Sequence, residues 1–222
     1  MRILVACEES QAVTKEFRRW GHEAYSCDIE PCSGGHPEWH LQQDVVPLLG
    51  ENWDLIIAFP PCTYLSNAGA CRLYPKKGQL DMDRYRKGLT AKQFFMEFLE
   101  SKCKRVAVEN PVSSTVFKMP THTQEIQPWM FGHPYTKKTR LWLKGLPELK
   151  PTNIIDPVGP YCPSGTGRKI KSKYGHAKRG EDSKNRSKTF PGIARAMAEQ
   201  WGQGEGCYHQ QKTIMEIEGV SE

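Results

Sequence analysis

The run from Trp53 to Phe59 (Trp-Asp-Leu-Ile-Ile-Ala-Phe) is the tightest constraint on this chain. It is almost wholly apolar, too short for a typical buried helix, and it stops at Pro60-Pro61. A strand covered on both faces reads this way, and two prolines end it because proline cannot donate to a sheet ladder. Sheets buried on both faces are built from parallel strands joined by helices. The flanking sequence agrees. Arg2–Ala6 is a short apolar strand, and Val13, Phe17 and Trp20 follow at helical spacing, with Gly21 as a helix stop. A second strand runs through Glu23–Cys27 and a short third one precedes Asp44. Met82, Tyr85, Leu89, Phe95, Phe98 and Leu99 mark a long helix, then Arg105–Val108 a strand. Arg140–Leu143 reads as another strand, and Ile193, Met197 and Trp201 as a last helix. Alternating strands and helices predict an α/β, doubly wound, mostly parallel sheet of Rossmann-like type. In such sheets ligands bind outside the carboxyl ends of the strands, so chemistry is expected just after each one.

Charge is distributed unevenly. The chain carries 31 basic and 25 acidic residues, a net +6. Between Gly167 and Lys188 there are nine basic residues against Glu181 and Asp182, so this segment alone holds +7 and the rest is close to neutral. A polyanion-binding loop is one reading of that cluster, and a solvated, solubilising loop the other. No apolar run reaches the ~20 residues of a membrane-spanning helix. With no signal-like N-terminus, the eight cysteines are expected to be reduced thiols in a cytoplasmic protein.

At the strand ends stand Ala6-Cys7-Glu8-Glu9-Ser10-Gln11, then Asp28-Ile29-Glu30, then Asp44. A carboxylate after the second strand suits the hydroxyls of a ribose, and Asp44 is placed to accept from an adenine amino group. The alternative for each acid is a helix cap. Phe59-Pro60-Pro61-Cys62 holds a thiol on a rigid loop at the sheet edge, and the next strand ends in Glu109-Asn110-Pro111. A thiolate beside a carboxylic acid can add to an electron-poor ring while the acid protonates a ring nitrogen; a buried structural cysteine is the alternative. Two other readings of the cysteines are weaker. Cys27, Cys32, His36 and His40 are spaced too closely for a zinc finger. The Pro-Cys-x-x-Cys of the zinc deaminases lacks its second cysteine, because Thr63-Tyr64-Leu65 follows Cys62. No metal is expected.

In order, these residues resemble the DNA cytosine-5 methyltransferases, in the compact form found in phages and prophages. Cys62 falls on the family's Pro-Cys nucleophile and Glu109 on its Glu-Asn acid. Asp28-Ile29-Glu30 and Asp44 fall on its cofactor carboxylates, Thr136–Arg140 loosely on its Gln-x-Arg-x-Arg strand, and Thr189–Ala194 on its last motif. The match runs from about residue 2 to residue 201. The flanks of Pro60-Pro61 argue against amino methylation, since no polar acceptor precedes them and a thiol follows.

The resemblance implies Cys62, Glu109 and Arg140 as catalytic residues. It implies S-adenosylmethionine as cofactor, held by Ala6, Cys7, Glu8, Ser10, Asp28, Ile29, Asp44, Pro60 and Phe190. It implies a monomer acting on a cytosine flipped from double-stranded DNA in a restriction-modification setting. Ser66, Asn67, Arg72, Lys138, Arg168, Lys169, Lys171 and Lys173 would then touch nucleic acid. The residues from Thr63 to about Leu80 would form a lid. The expected organisation is a catalytic core over 1–150, a reduced recognition insertion over 151–188, a returning helix over 189–202 and a loose tail over 203–222. Three departures stand out: no glycine follows the first strand, Pro111 replaces a valine, and the recognition region is very short. The missing glycines and the short recognition region keep one alternative open, a DNA-binding protein that retains the cofactor pocket yet turns over poorly. Lys188, near the last motif, keeps open a second, a C5-modifying enzyme that uses another donor, RNA or a free nucleotide.

Overall fold

The computed structural model describes residues 1–70, 72–161 and 188–203. Its centre is one seven-stranded sheet. The strands are β1 (Arg2–Ala6), β2 (Glu23–Asp28), β3 (His40–Gln42), β4 (Leu55–Ala58), β5 (Val106–Pro111), β6 (Gln124–Ile126) and β7 (Thr139–Lys144). Their order across the sheet is β3-β2-β1-β4-β5-β7-β6. The first five are parallel neighbours, whereas β7 runs antiparallel to both β5 and β6. The chain is therefore a doubly wound, mostly parallel α/β sheet of Rossmann-like type. Its order reverses between β1 and β4, the place at which such sheets take ligands outside the carboxyl ends of the strands.

Side chains alternate across the strands, so each strand feeds two cores. Ile3, Val5, Leu55, Ile57, Ala107 and Leu141 face one side. There they meet Val13 and Phe17 of α1 (Ala12–Arg19) and Ile193, Met197 and Trp201 of α4 (Pro191–Trp201). Leu4, Ala6, Ile56, Ala58, Val106 and Val108 face the other side, against Phe95 and Phe98 of α3 (Met82–Glu100). This double burial explains the unbroken apolar run at Leu55–Ala58.

Local sequence fixes the element ends. Gly21 adopts φ +75° after α1, a left-handed turn that glycine takes at little cost. Asp81 caps α3 by accepting from the Arg84 N–H at 3.0 Å. The expected apolar stripe of α3 is only partly used, because Met82 and Leu89 are exposed. Gly88 takes a core position instead: a Cβ there would lie 2.1 Å from the Phe117 ring, which packs over it. The four-residue helix α2 (Asn67–Ala70) and β6 are further elements with no periodic signal of their own. No helix among the described residues is long and apolar enough to cross a membrane.

Candidate active site at the carboxyl edge of the sheet

The strand ends form a row. On the β4–β5 side, the last ladder pair is Ala58–Val108, and one step beyond it the chains reach Phe59 and Glu109. Pro60 is buried, which anchors the turn, and the Cys62 thiol beyond it is half-buried. The Cys62 carbonyl accepts from the N–H groups of Leu65 (3.1 Å) and Ser66 (2.9 Å), closing a tight turn after the thiol. Asn67 N–H donates to the Val112 carbonyl (2.7 Å) and Ser114 N–H to the Leu65 carbonyl (2.8 Å). The residues expected as a lid are thus tied, at 65–67, to the chain leaving β5. Ser66 is buried with its hydroxyl accepting from Gly69 N–H, so it faces inward; Asn67 and Arg72 are exposed.

Glu109 keeps some accessible surface but is hemmed in by protein, and burial raises its carboxyl above the usual range. Two neighbours oppose that shift, the Lys137 ammonium and a hydrogen bond with the Thr139 side chain. Burial wins, which favours the protonated form. Glu109 pairs in register with Leu141, so Thr139, two residues away, shares its face, while Arg140 pairs with Asn110 on the opposite face. Arg140 lies 3.6 Å from Glu125, which also holds Lys138 at 3.1 Å. Period-two alternation turns Arg140, expected to hold the base's carbonyl or a phosphate, away from Glu109, and Lys137 and Thr139 are the residues of this segment that reach the acid. The inexact motif hid them, since neither is an arginine. Asn110 is fully buried, and both atoms of its amide lack a hydrogen-bond partner among the described residues.

On the β1–β2–β3 side the loop after β1 is built without glycine. Cys7 and Gln11 take left-handed backbone at φ 58° and 55°, a conformation uncommon outside glycine. The Cys7 thiol is pushed up, first by burial and then by the charges of Asp28, Cys27 and Asp44. Asp28 and Asp44 thus flank one point at the β1 end. Asp28 spends Oδ1 on the Glu30 N–H and Asp44 spends Oδ1 on the Val46 N–H, both at 3.0 Å. Their second oxygens remain for other donors. Ile29, next to Asp28 in sequence, is 73% exposed, an apolar side chain presented just after β2.

Ala6 and Glu8 do not line this edge. Ala6 is fully buried, and its carbonyl accepts from Phe59 N–H. Glu8 turns under the loop and caps α1, accepting from Val13 N–H (2.6 Å), Thr14 N–H (3.2 Å) and Thr14 Oγ1 (2.7 Å). Burial nevertheless raises its carboxyl to about 7. Ser10 is half-buried above it.

Gln11 is a residue that sequence reasoning missed. It is fully buried. Its Nε2 donates to Ser26 Oγ (3.2 Å) and the His36 carbonyl (2.8 Å), and its Oε1 accepts from His36 N–H and Cys32 Sγ, both at 3.1 Å. The 32–36 segment is thereby folded onto the β1 loop, so closely that a Cβ on Gly34 would lie 2.5 Å from Gln11 Cβ and 2.6 Å from the Ser10 carbonyl. The missing glycine of the first loop is met by one from the β2–β3 connection. The same bonds disperse the zinc-like residues: Cys27 donates to the Gln43 carbonyl, Cys32 to Gln11, and His40 bonds Ser26 and the Glu30 carbonyl. Among the described residues no group of three His, Cys, Asp or Glu is arranged to hold a metal ion.

Phe190 is buried where α4 begins, 4.8 Å from Tyr161, 5.1 Å from His133 and 6.3 Å from Tyr135 between ring centres, with Lys137 Nζ 5.8 Å from its own. Burial lowers the His133 ring, and its Nε2 accepts from Gly192 N–H at 2.9 Å, which caps α4. Lys138 is exposed. Arg168, Lys169, Lys171 and Lys173 lie outside the described residues, as does most of the +7 segment. A surface cleft lined by Met1, Glu51, Trp53, Lys102 and Arg105 opens at the opposite, amino-terminal edge and contains none of the residues above.

No family model and no curated protein matches the chain. Among solved structures it is similar to a candidate DNA modification methyltransferase encoded within an E. coli prophage (15% identity, TM-score 0.41, covering 71% of this chain and 52% of that one). It is also similar to the Entamoeba histolytica methyltransferase EhMeth (13%, 0.45, 69% and 57%). A third is a triple mutant of Spodoptera frugiperda DNMT2 (15%, 0.34, 69% and 54%). The chain spans little more than half the length of each of these.

Proposed function

We propose that the chain is an S-adenosylmethionine-dependent methyltransferase that modifies C5 of cytosine in DNA. The observation that carries this reading is the pairing of a half-buried thiol after β4 with a protonation-prone carboxyl at the end of β5, on adjacent strands of one sheet edge. A target base has to leave the duplex to reach such a centre, because its C5–C6 bond is stacked in the helix. Cys62 Sγ adds to C6 as Glu109 delivers a proton to N3, and the ring electrons are pushed onto C5. Lys137 limits how far the acid's proton affinity rises, and the Thr139 hydroxyl orients it.

The β1–β2–β3 edge fits the cofactor by its donor set. Asp28 has an oxygen left for ribose hydroxyls, Asp44 one for an amino group, and exposed Ile29 an apolar surface for a base. Phe190 and the aromatic residues around it would close the pocket from the α4 side. When bound, S-adenosylmethionine supplies an electrophilic methyl group to the activated C5. Loss of the C5 proton to solvent, return of the N3 proton to Glu109 and departure of Cys62 as a thiolate then restore the ring. Asn67, Arg72 and Lys138, exposed around the edge, and the basic residues beginning at Arg168 are the phosphate contacts of this reading. The first 150 residues form the catalytic core in this reading, and 151–188 a reduced recognition region.

The test uses purified protein, methyl-labelled S-adenosylmethionine and unmethylated duplex DNA, followed by digestion to nucleosides and mass spectrometry. Labelled 5-methylcytosine is expected. Label on adenine N6 or cytosine N4 contradicts the reading, as does an unlabelled digest from protein that binds both cofactor and DNA.

A further inference from the structure

Arg84 stands in the first turn of α3, where its backbone N–H is fixed by the Asp81 carboxylate. Its Nη2 donates to two carbonyls of the loop that follows the thiol, Thr63 at 3.2 Å and Gly69 at 3.1 Å. The same guanidinium lies over the Tyr64 ring, 5.0 Å from its centre. One side chain thus grips the loop at three residues, and the first of them directly follows Cys62. The loop is shaped for that grip. Gly69 approaches so closely that a Cβ would lie 2.2 Å from the Thr63 carbonyl, and Gly69 N–H is held by the Ser66 hydroxyl at 3.2 Å. On its other side the loop is bonded to Val112 and Ser114, beyond Glu109. The turn bearing the thiol is therefore clamped between the strand that carries the acid and the helix that carries Arg84.

We propose that Arg84 is the positioning residue for Cys62, setting the angle at which the thiol meets the base without touching the base itself. This rests on the reading of Cys62 as the nucleophile. Lysine is a poor substitute: the guanidinium lies over Tyr64 while Nη2 alone serves both carbonyls, whereas a lysine's one nitrogen would have to serve the ring and the carbonyls together. The cost of burying Arg84 Nε without a hydrogen-bond partner is accepted to make those contacts.

The addition step can be read without any methyl donor. When Sγ adds to C6 and N3 is protonated, C5 takes up a solvent proton; loss of the original C5 hydrogen as the thiolate leaves then releases tritium from duplex DNA carrying 5-tritiated cytosine. Rates are normalised to active sites counted by stoichiometric S-adenosylmethionine binding, which removes any unfolded fraction. Arg84→Ala is expected to slow release about 100-fold per site, with the KM for DNA changed by less than about threefold. Arg84→Lys, which keeps the charge and guards against a folding defect in the alanine variant, is expected to recover less than about a tenth of the lost rate. Release near the wild-type rate per site in either variant overturns the proposal, as does a loss confined to the KM for DNA. Wild-type protein that releases no tritium overturns the Cys62 reading itself, and this proposal with it.

Discussion

The two halves of the carboxyl edge solve one problem in opposite ways. On the β4–β5–β7 side, each candidate side chain points where strand geometry sends it: a strand ends, prolines stiffen the turn, and Cys62 and Glu109 emerge from neighbouring strands. On the β1–β2–β3 side the loop that would ordinarily be glycine-rich has none. Its shape is recovered by left-handed backbone at Cys7 and Gln11, an inward-turned Glu8 that caps α1, and Gly34 brought in by Gln11 from another loop. The difference teaches that the side chains a strand end presents follow from local sequence, whereas a loop is a backbone shape that quite different sequences can hold.

Substitutions can pull these halves apart. The largest effect is expected from Glu109→Gln, which keeps the shape of the chemical half but removes its proton. Turnover should fall by about 10²–10⁴-fold, while S-adenosylmethionine affinity, measured by calorimetry, stays within about twofold because the β1–β3 edge is untouched. The pH profile has a definite sign. Glu109 is raised by burial, so its proton persists above the usual carboxylate range and the wild-type rate should decline as pH rises through that raised value. The remaining activity of Glu109→Gln should lack that decline. A weakened cofactor affinity in this variant would mean that the two halves are not separable.

Glu8 gives the reciprocal case, a smaller effect on the cofactor half. Its folded carboxyl lies at about 7 against an ordinary 4.5. Being raised, it contributes stability that is complete below about pH 4.5 and lost as pH rises through about 7, a swing of about 3 kcal/mol at most. Three hydrogen bonds already lower it, so burial is the stronger influence. Denaturant unfolding at a series of pH values should show that decline in wild type and a flatter curve for Glu8→Gln. Equal slopes would mean that Glu8 is ionised in the fold, with α1's N–H groups outweighing burial.

The same contrast explains what could be read from the sequence. The strand–helix order, the edge location and the Cys62–Glu109 pairing follow from hydrophobic periodicity and from prolines that end a strand, both local signals. Lys137 and Thr139 are not legible beside Glu109 because a loose motif match ignores alternation: Thr139 and Arg140 are adjacent in sequence but on opposite faces of β7. Gln11, Gly34 and Arg84 carry no local signal, since their partners lie in other connections and appear only when the chain is folded. Glu8 read as an edge carboxylate because a helix cap placed before a left-handed turn looks the same in sequence as a ligand-facing acid.

The central claim is that the thiol after β4 and the acid on β5 form a single centre acting on one pyrimidine. Its most direct test is covalent capture on duplex DNA containing 5-fluorocytosine, with S-adenosylmethionine present. Fluorine at C5 cannot leave as a proton does, so the adduct persists once the methyl group has been transferred. A one-to-one complex that survives denaturation, with the DNA mapped by peptide mass spectrometry to Cys62 and absent from Cys62→Ser, is the predicted result. A cross-link to another cysteine, or none from protein that binds both cofactor and duplex, would contradict it.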